Sequence, residues 1–135
     1  MTFLYERDVP NRCDAGGRAW LCCFELSRRK TKVWKKIPPM LVEFCCTKGP
    51  DYKYERECRE AGYAPMHVIP VKEDDTLDWE HPVNPYCCKA SETREKATEV
   101  YLAKLEAARQ EITEAIAKLV QMNEKIEAEM DALKI

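Results

Sequence analysis

Cys13-Asp-Ala-Gly-Gly-Arg-Ala-Trp-Leu-Cys-Cys-Phe-Glu-Leu-Ser27 is the stretch on which the architecture turns. Its second half, Ala19–Leu26, reads as helical, while Gly16 and Gly17 weaken the start. Further along, Pro38 and Pro39 end whatever precedes them, because proline lacks a donor and forces its predecessor into an extended state. Leu41–Cys46 is too short to assign to an element. Gly49-Pro50-Asp51 reads as a turn into a second helix, with Pro50 near its first position. That helix runs through Tyr54 and Cys58 to Ala61, and Gly62 stops it. Pro65, Pro70, Pro82 and Pro85, with the acidic patch Glu73-Asp74-Asp75, make the following residues an extended connector.

The far end of the chain is different in kind. From Arg94 to Leu133 Glu, Lys, Ala, Leu, Ile and Met dominate, with no Pro or Gly, which predicts one long helix with Ser91 as its N-cap. Leu105, Ile112, Leu119, Ile126 and Leu133 recur every seventh residue. Tyr101, Ala108, Ala115 and Met122 fill the intermediate positions, a coiled-coil seam that breaks at Glu129 while Ile116 and Met130 widen one flank. Alanine at two successive intermediate positions leaves room for a close neighbour. The expectation is therefore that the stripe docks on other subunits, with a self-paired coil as the alternative.

Composition separates these regions. All 8 cysteines, 8 prolines and 4 glycines of the 135-residue chain lie before residue 89, and so do its 3 tryptophans and 3 phenylalanines. The predicted organisation is a Cys-rich helical hairpin over 1–62, a proline-rich connector with a Cys pair over 63–90, and a long amphipathic helix over 91–135. The formal net charge of -2 argues against a protein built to coat nucleic acid. Its longest apolar run, Ala19–Phe24, falls far short of the roughly 20 residues that cross a bilayer, so no transmembrane segment is expected.

The cysteines stand at 13, 22, 23, 45, 46, 58, 87 and 88, three of the groups being adjacent pairs, with no C-x2-C. Structural zinc favours short knuckles whose sulfurs converge on one ion, and adjacent cysteines point apart, so no metal site is expected. His67 and His81 read as surface residues. Disulfides suit the pattern better, and Cys13, Cys22, Cys23, Cys45, Cys46, Cys58, Cys87 and Cys88 are all candidates, with the connectivity open among 105 pairings. The segment Met1–Pro10 has neither a secretory signal pattern nor an Arg-rich presequence, so an oxidising compartment would be reached without a usual cleaved signal.

Cys13 and Cys23 enclose nine residues, and Cys46 and Cys58 follow with eleven between them. In this the chain resembles a divergent member of the twin C-x9-C, or CHCH, proteins of the mitochondrial intermembrane space. The resemblance covers about residues 10–62 and implies two short antiparallel helices stapled by two disulfides, Cys13 to Cys58 and Cys23 to Cys46. The fold class it implies is mainly α: a disulfide-stapled helical hairpin, a loop-rich connector and one long coiled-coil-like C-terminal helix.

Arg28, Arg29, Lys30, Lys32, Lys35 and Lys36 form a basic run that includes Trp34, suited to anionic lipid headgroups or an acidic partner. No nucleotide, hydrolase, metalloprotease or C-x2-C redox motif is present, so neither catalysis nor a cofactor is expected. By the resemblance, the expected function is a non-catalytic accessory subunit of a mitochondrial respiratory complex. NADH:ubiquinone oxidoreductase leads, with the chain bracing assembly on the intermembrane-space face, peripheral on the inner membrane. The alternative is a zinc-binding or disulfide-rich interaction adaptor with a coiled-coil tail.

Overall fold

The computed structural model describes residues 17–45 and 67–134, together with the backbone of residues 7–8. It overturns the mainly helical expectation. Five antiparallel strands form one sheet: β1 (Arg7–Asp8), β2 (Arg18–Leu26), β3 (Val33–Cys45), β4 (His67–Pro70) and β5 (Lys89–Ser91), in the order β1-β5-β2-β3-β4. One helix follows, α1 (Arg94–Leu133). Ala19–Leu26, read as helical from sequence, is the central strand, and β4 and β5 lie within the presumed connector.

Burial on both faces explains why β2 is a strand. Ala19, Leu21 and Cys23 enter one core with Val42 and Phe44 of β3, Val68 of β4, and Cys88 and Ala90 beside and on β5. Trp20, Cys22 and Phe24 point to the opposite face, where α1 lies: Arg94 sits over the Trp20 ring, and Tyr101 meets Phe24 edge-on at 6.2 Å. A strand apolar on both faces has no helical stripe to display, and the near-continuous run Ala19–Phe24 is the signature of two-sided burial.

Pro38 and Pro39 sit inside β3 without ending it. Leu21 pairs with Met40 and Cys23 with Ile37, so the two prolines oppose Cys22 alone in a β-bulge, where a missing ladder donor is tolerated. A second irregularity falls between Glu25, opposite Lys35, and Leu26, opposite Val33, which leaves Trp34 as the extra residue. The turn joining β2 to β3 is closed by Ser27 N donating to Lys32 O at 2.8 Å, and Ser27 Oγ accepts from the Thr31 and Lys32 amides. Lys30 takes φ 60°, the left-handed conformation that usually selects glycine.

The N-cap of α1 is Thr93, whose side chain accepts from Lys96 N at 3.1 Å. Ser91, expected in that role, is instead a wholly buried β5 residue opposite Trp20. Among the described residues, no helix is long and apolar enough to cross a membrane.

Candidate interaction surfaces

The stripe expected along α1 exists, but it changes character along its length. Ala97, Val100 (6% exposed) and Ala108 (7%) are buried, and Tyr101 and Leu105 are partly covered. Two ion pairs fasten this half to the sheet: Lys104 Nζ to Glu25 at 3.7 Å, and Lys30 Nζ in the β2–β3 turn to Glu111 at 3.2 Å. Past Glu111 the described contacts with the sheet end. Ala115 remains partly covered, while Ile112, Leu119 (64%), Met122, Ile126 and Leu133 (80%) are exposed. Ile116, Val120 and Met130 beside them are exposed as well. Single exposed apolar residues are ordinary, whereas this is a run of eight large ones between Ile112 and Leu133.

The basic run divides. Lys30 is held by Glu111, and Lys35 Nζ donates to the carbonyls of Asn84 and Tyr86, both at 2.6 Å. Arg28, Arg29, Lys32 and Lys36 are exposed. Trp34, turned outward by its bulge, meets Tyr86 edge-on at 5.9 Å. These two rings line an open groove of about 510 Å3 with Glu25, Leu26, Ser27, Arg28 and Cys87. Tyr86, the partner ring, carried no periodic signal in the sequence; its placement comes from the Asn84-Pro85 turn, in which Asn84 Oδ1 accepts from Tyr86 N at 3.0 Å.

No disulfide links the cysteines within the described residues. Cys22, Cys23, Cys45 and Cys88 are buried and Cys87 is exposed. Cys13, Cys46 and Cys58 lie outside those residues, so both pairings implied by the resemblance do too. Cys23, however, lies in a strand, with its thiol donating to the Cys87 carbonyl at 3.3 Å, and is not on a helix of a hairpin. Extending the β2–β5 register by one step places Cys23 across from Cys88. Burial pushes the Cys23 thiol up to about 12, reinforced by the neighbouring Cys88, while Lys35 opposes the shift. Burial likewise raises Cys88. Such thiols stay protonated and are poor nucleophiles at neutral pH.

No group of three or more His, Cys, Asp or Glu side chains suited to a metal occurs among the described residues. His81 is exposed, with Nδ1 3.0 Å from the Asp78 carboxylate, and His67 is a partly buried β4 residue. In comparisons with known proteins, no family model, curated protein or solved structure matched the chain.

Proposed function

We propose that this chain acts by binding rather than by catalysis, as an interaction adaptor whose sheet presents the C-terminal half of α1 to a partner helix. One observation supports this above the others: the exposed apolar run from Ile112 to Leu133 begins where the contacts between α1 and the sheet end. Side chains that stabilise nothing within their own chain have another surface to cover. The narrower expectation of an accessory subunit of a respiratory complex retains this docking stripe as its support. The helical hairpin that suggested that setting is replaced by strands at Cys22, Cys23 and Cys45.

The test is recovery of the native complex by mild cross-linking from source cells expressing either the wild type or a Leu119→Asp, Ile126→Asp variant. Loss of the cross-linked species with the variant, at unchanged expression and melting temperature, supports the reading. An identical set of cross-linked species from both proteins would sink it. A weaker contact with an acidic surface is supported by Arg28 and Arg29 standing exposed beside Trp34. Sedimentation with anionic and with neutral vesicles measures it, and equal recovery with both would remove it.

A further inference from the structure

We infer that the projecting half of α1 pairs with the same segment of a second copy of this chain, as a parallel, in-register two-stranded coiled coil. This rests on reading the segment as a docking helix and names its partner.

The structure changes which seam is available. In the pattern read from sequence, Ala108 and Ala115 alternate with Leu105, Ile112 and Leu119. Ala108 is buried, so the alanine line is already taken up by the fold at its N-terminal end. Setting that line aside, the exposed residues form a different regular seam: Ile112, Ile116, Leu119, Asn123, Ile126, Met130 and Leu133, at alternating steps of four and three. This is a heptad repeat with Ile112, Leu119, Ile126 and Leu133 at d and Ile116, Asn123 and Met130 at a. The interruption at Glu129 disappears, since Glu129 now flanks the seam. Arg109, the preceding a position, bounds it just where the sheet contacts end.

Two features choose the occupant. Asn123 is the single polar residue in the seam. In a parallel, in-register homodimer an a-position side chain faces its own copy, so the two Asn123 amides can donate and accept between themselves. In an antiparallel pair a faces d, and in a foreign apolar groove the amide loses its partner, so Asn123 would be buried unsatisfied. In the free chain Asn123 Nδ2 reaches Glu127 at 3.3 Å on the solvent side, a contact readily exchanged.

Charge agrees with this choice. The flanking g residue of one helix meets the e residue five positions on in its partner, which pairs Glu129 with Lys134 in both directions, Ala115 with Val120, and Met122 with the stem of Glu127, with no like charges opposed. Within one chain, residues five apart do not face each other, and Lys134 has only a 4.0 Å contact with Asp131.

Sedimentation equilibrium of the full-length chain over a concentration series tests the inference. The wild type is expected at twice its 15.7 kDa mass, and Leu119→Glu with Ile126→Glu at the monomer mass with an unchanged melting transition of the sheet. Glu129→Lys and Lys134→Glu each weaken the dimer by about threefold to tenfold, and together restore it. Asn123→Leu tightens association but yields mixed oligomers in place of one dimer. A wild type monomeric at its highest soluble concentration overturns the inference. So does a charge swap that fails to restore pairing, or an Asn123→Leu protein that remains the same single dimer at the same affinity. If the wild type is monomeric while the docking variant still loses its native cross-links, only self-pairing falls and the docking reading stands.

Discussion

Residues Arg94–Glu111 and Ile112–Leu133 belong to one unbroken helix with similar composition, and what separates them is where their apolar side chains go. In the first segment Ala97, Val100 and Ala108 are buried and Tyr101 meets Phe24 of β2 edge-on. In the second, large residues stand in solvent. A helix gains most of its stability in a protein from burying such a face, so within this chain the second segment holds its shape through propensity and surface pairs. One seven-residue rhythm thus runs through a buried length and an exposed length of the same helix.

The sharpest way to break this comparison is the same substitution on each side of Glu111. Val100→Asp places an unpaired charge under the sheet and is expected to cost about 3–5 kcal/mol. Leu119→Asp should leave the melting temperature of the monomeric form nearly unchanged, within about 0.5 kcal/mol. Thermal melts of both variants under dilute conditions check the pair, and equal losses would erase the distinction.

A smaller effect comes from the buried thiols. Cys23 titrates at about 12 in the fold against an ordinary 9.0, so below pH 9 it is protonated whether folded or unfolded. Between those values only the unfolded chain gives up its proton, and stability falls as pH rises through that window. Cys23→Ala should flatten this alkaline slope, as measured by denaturant melts at stepped pH. Next, Thr93→Ala removes the cap of the docked end and is expected to cost about 1 kcal/mol, read from the same melts. The smallest change is expected from Glu111→Gln, which releases Lys30 at the boundary between the two segments: about 0.2–1 kcal/mol, declining with added salt.

How much of this was legible in the residues differs by region. The extent of α1 was readable because its composition and seven-residue rhythm have only one structural interpretation, and its start was misplaced by two residues, from Thr93 to Ser91. The sheet was hidden for physical reasons. β2 is covered on both faces, which removes the alternation that marks a strand. The hairpin turn has Lys30 where a glycine would have announced it, and β3 contains a double proline that normally ends an element. Tyr86 and Trp34 come together through a bulge and an Asx turn, features set by hydrogen bonding between distant residues. The cysteines of β2 and β3, read for their bonding chemistry, also serve as small buried side chains of the fold.

The double proline in β3 has a consequence for how the molecule survives at high concentration. Pro38 and Pro39 together remove two consecutive backbone donors from β3. The bulge against Cys22 absorbs the gap facing β2. Pro38 and Pro39 also lie on a length of β3 that β4, paired with Val42–Cys45, does not cover. A foreign strand laid there finds a broken ladder. Proline on an uncovered strand edge is one of the ways a sheet avoids edge-to-edge pairing, so the long β3 carries Val33 and Trp34 beside a built-in interruption.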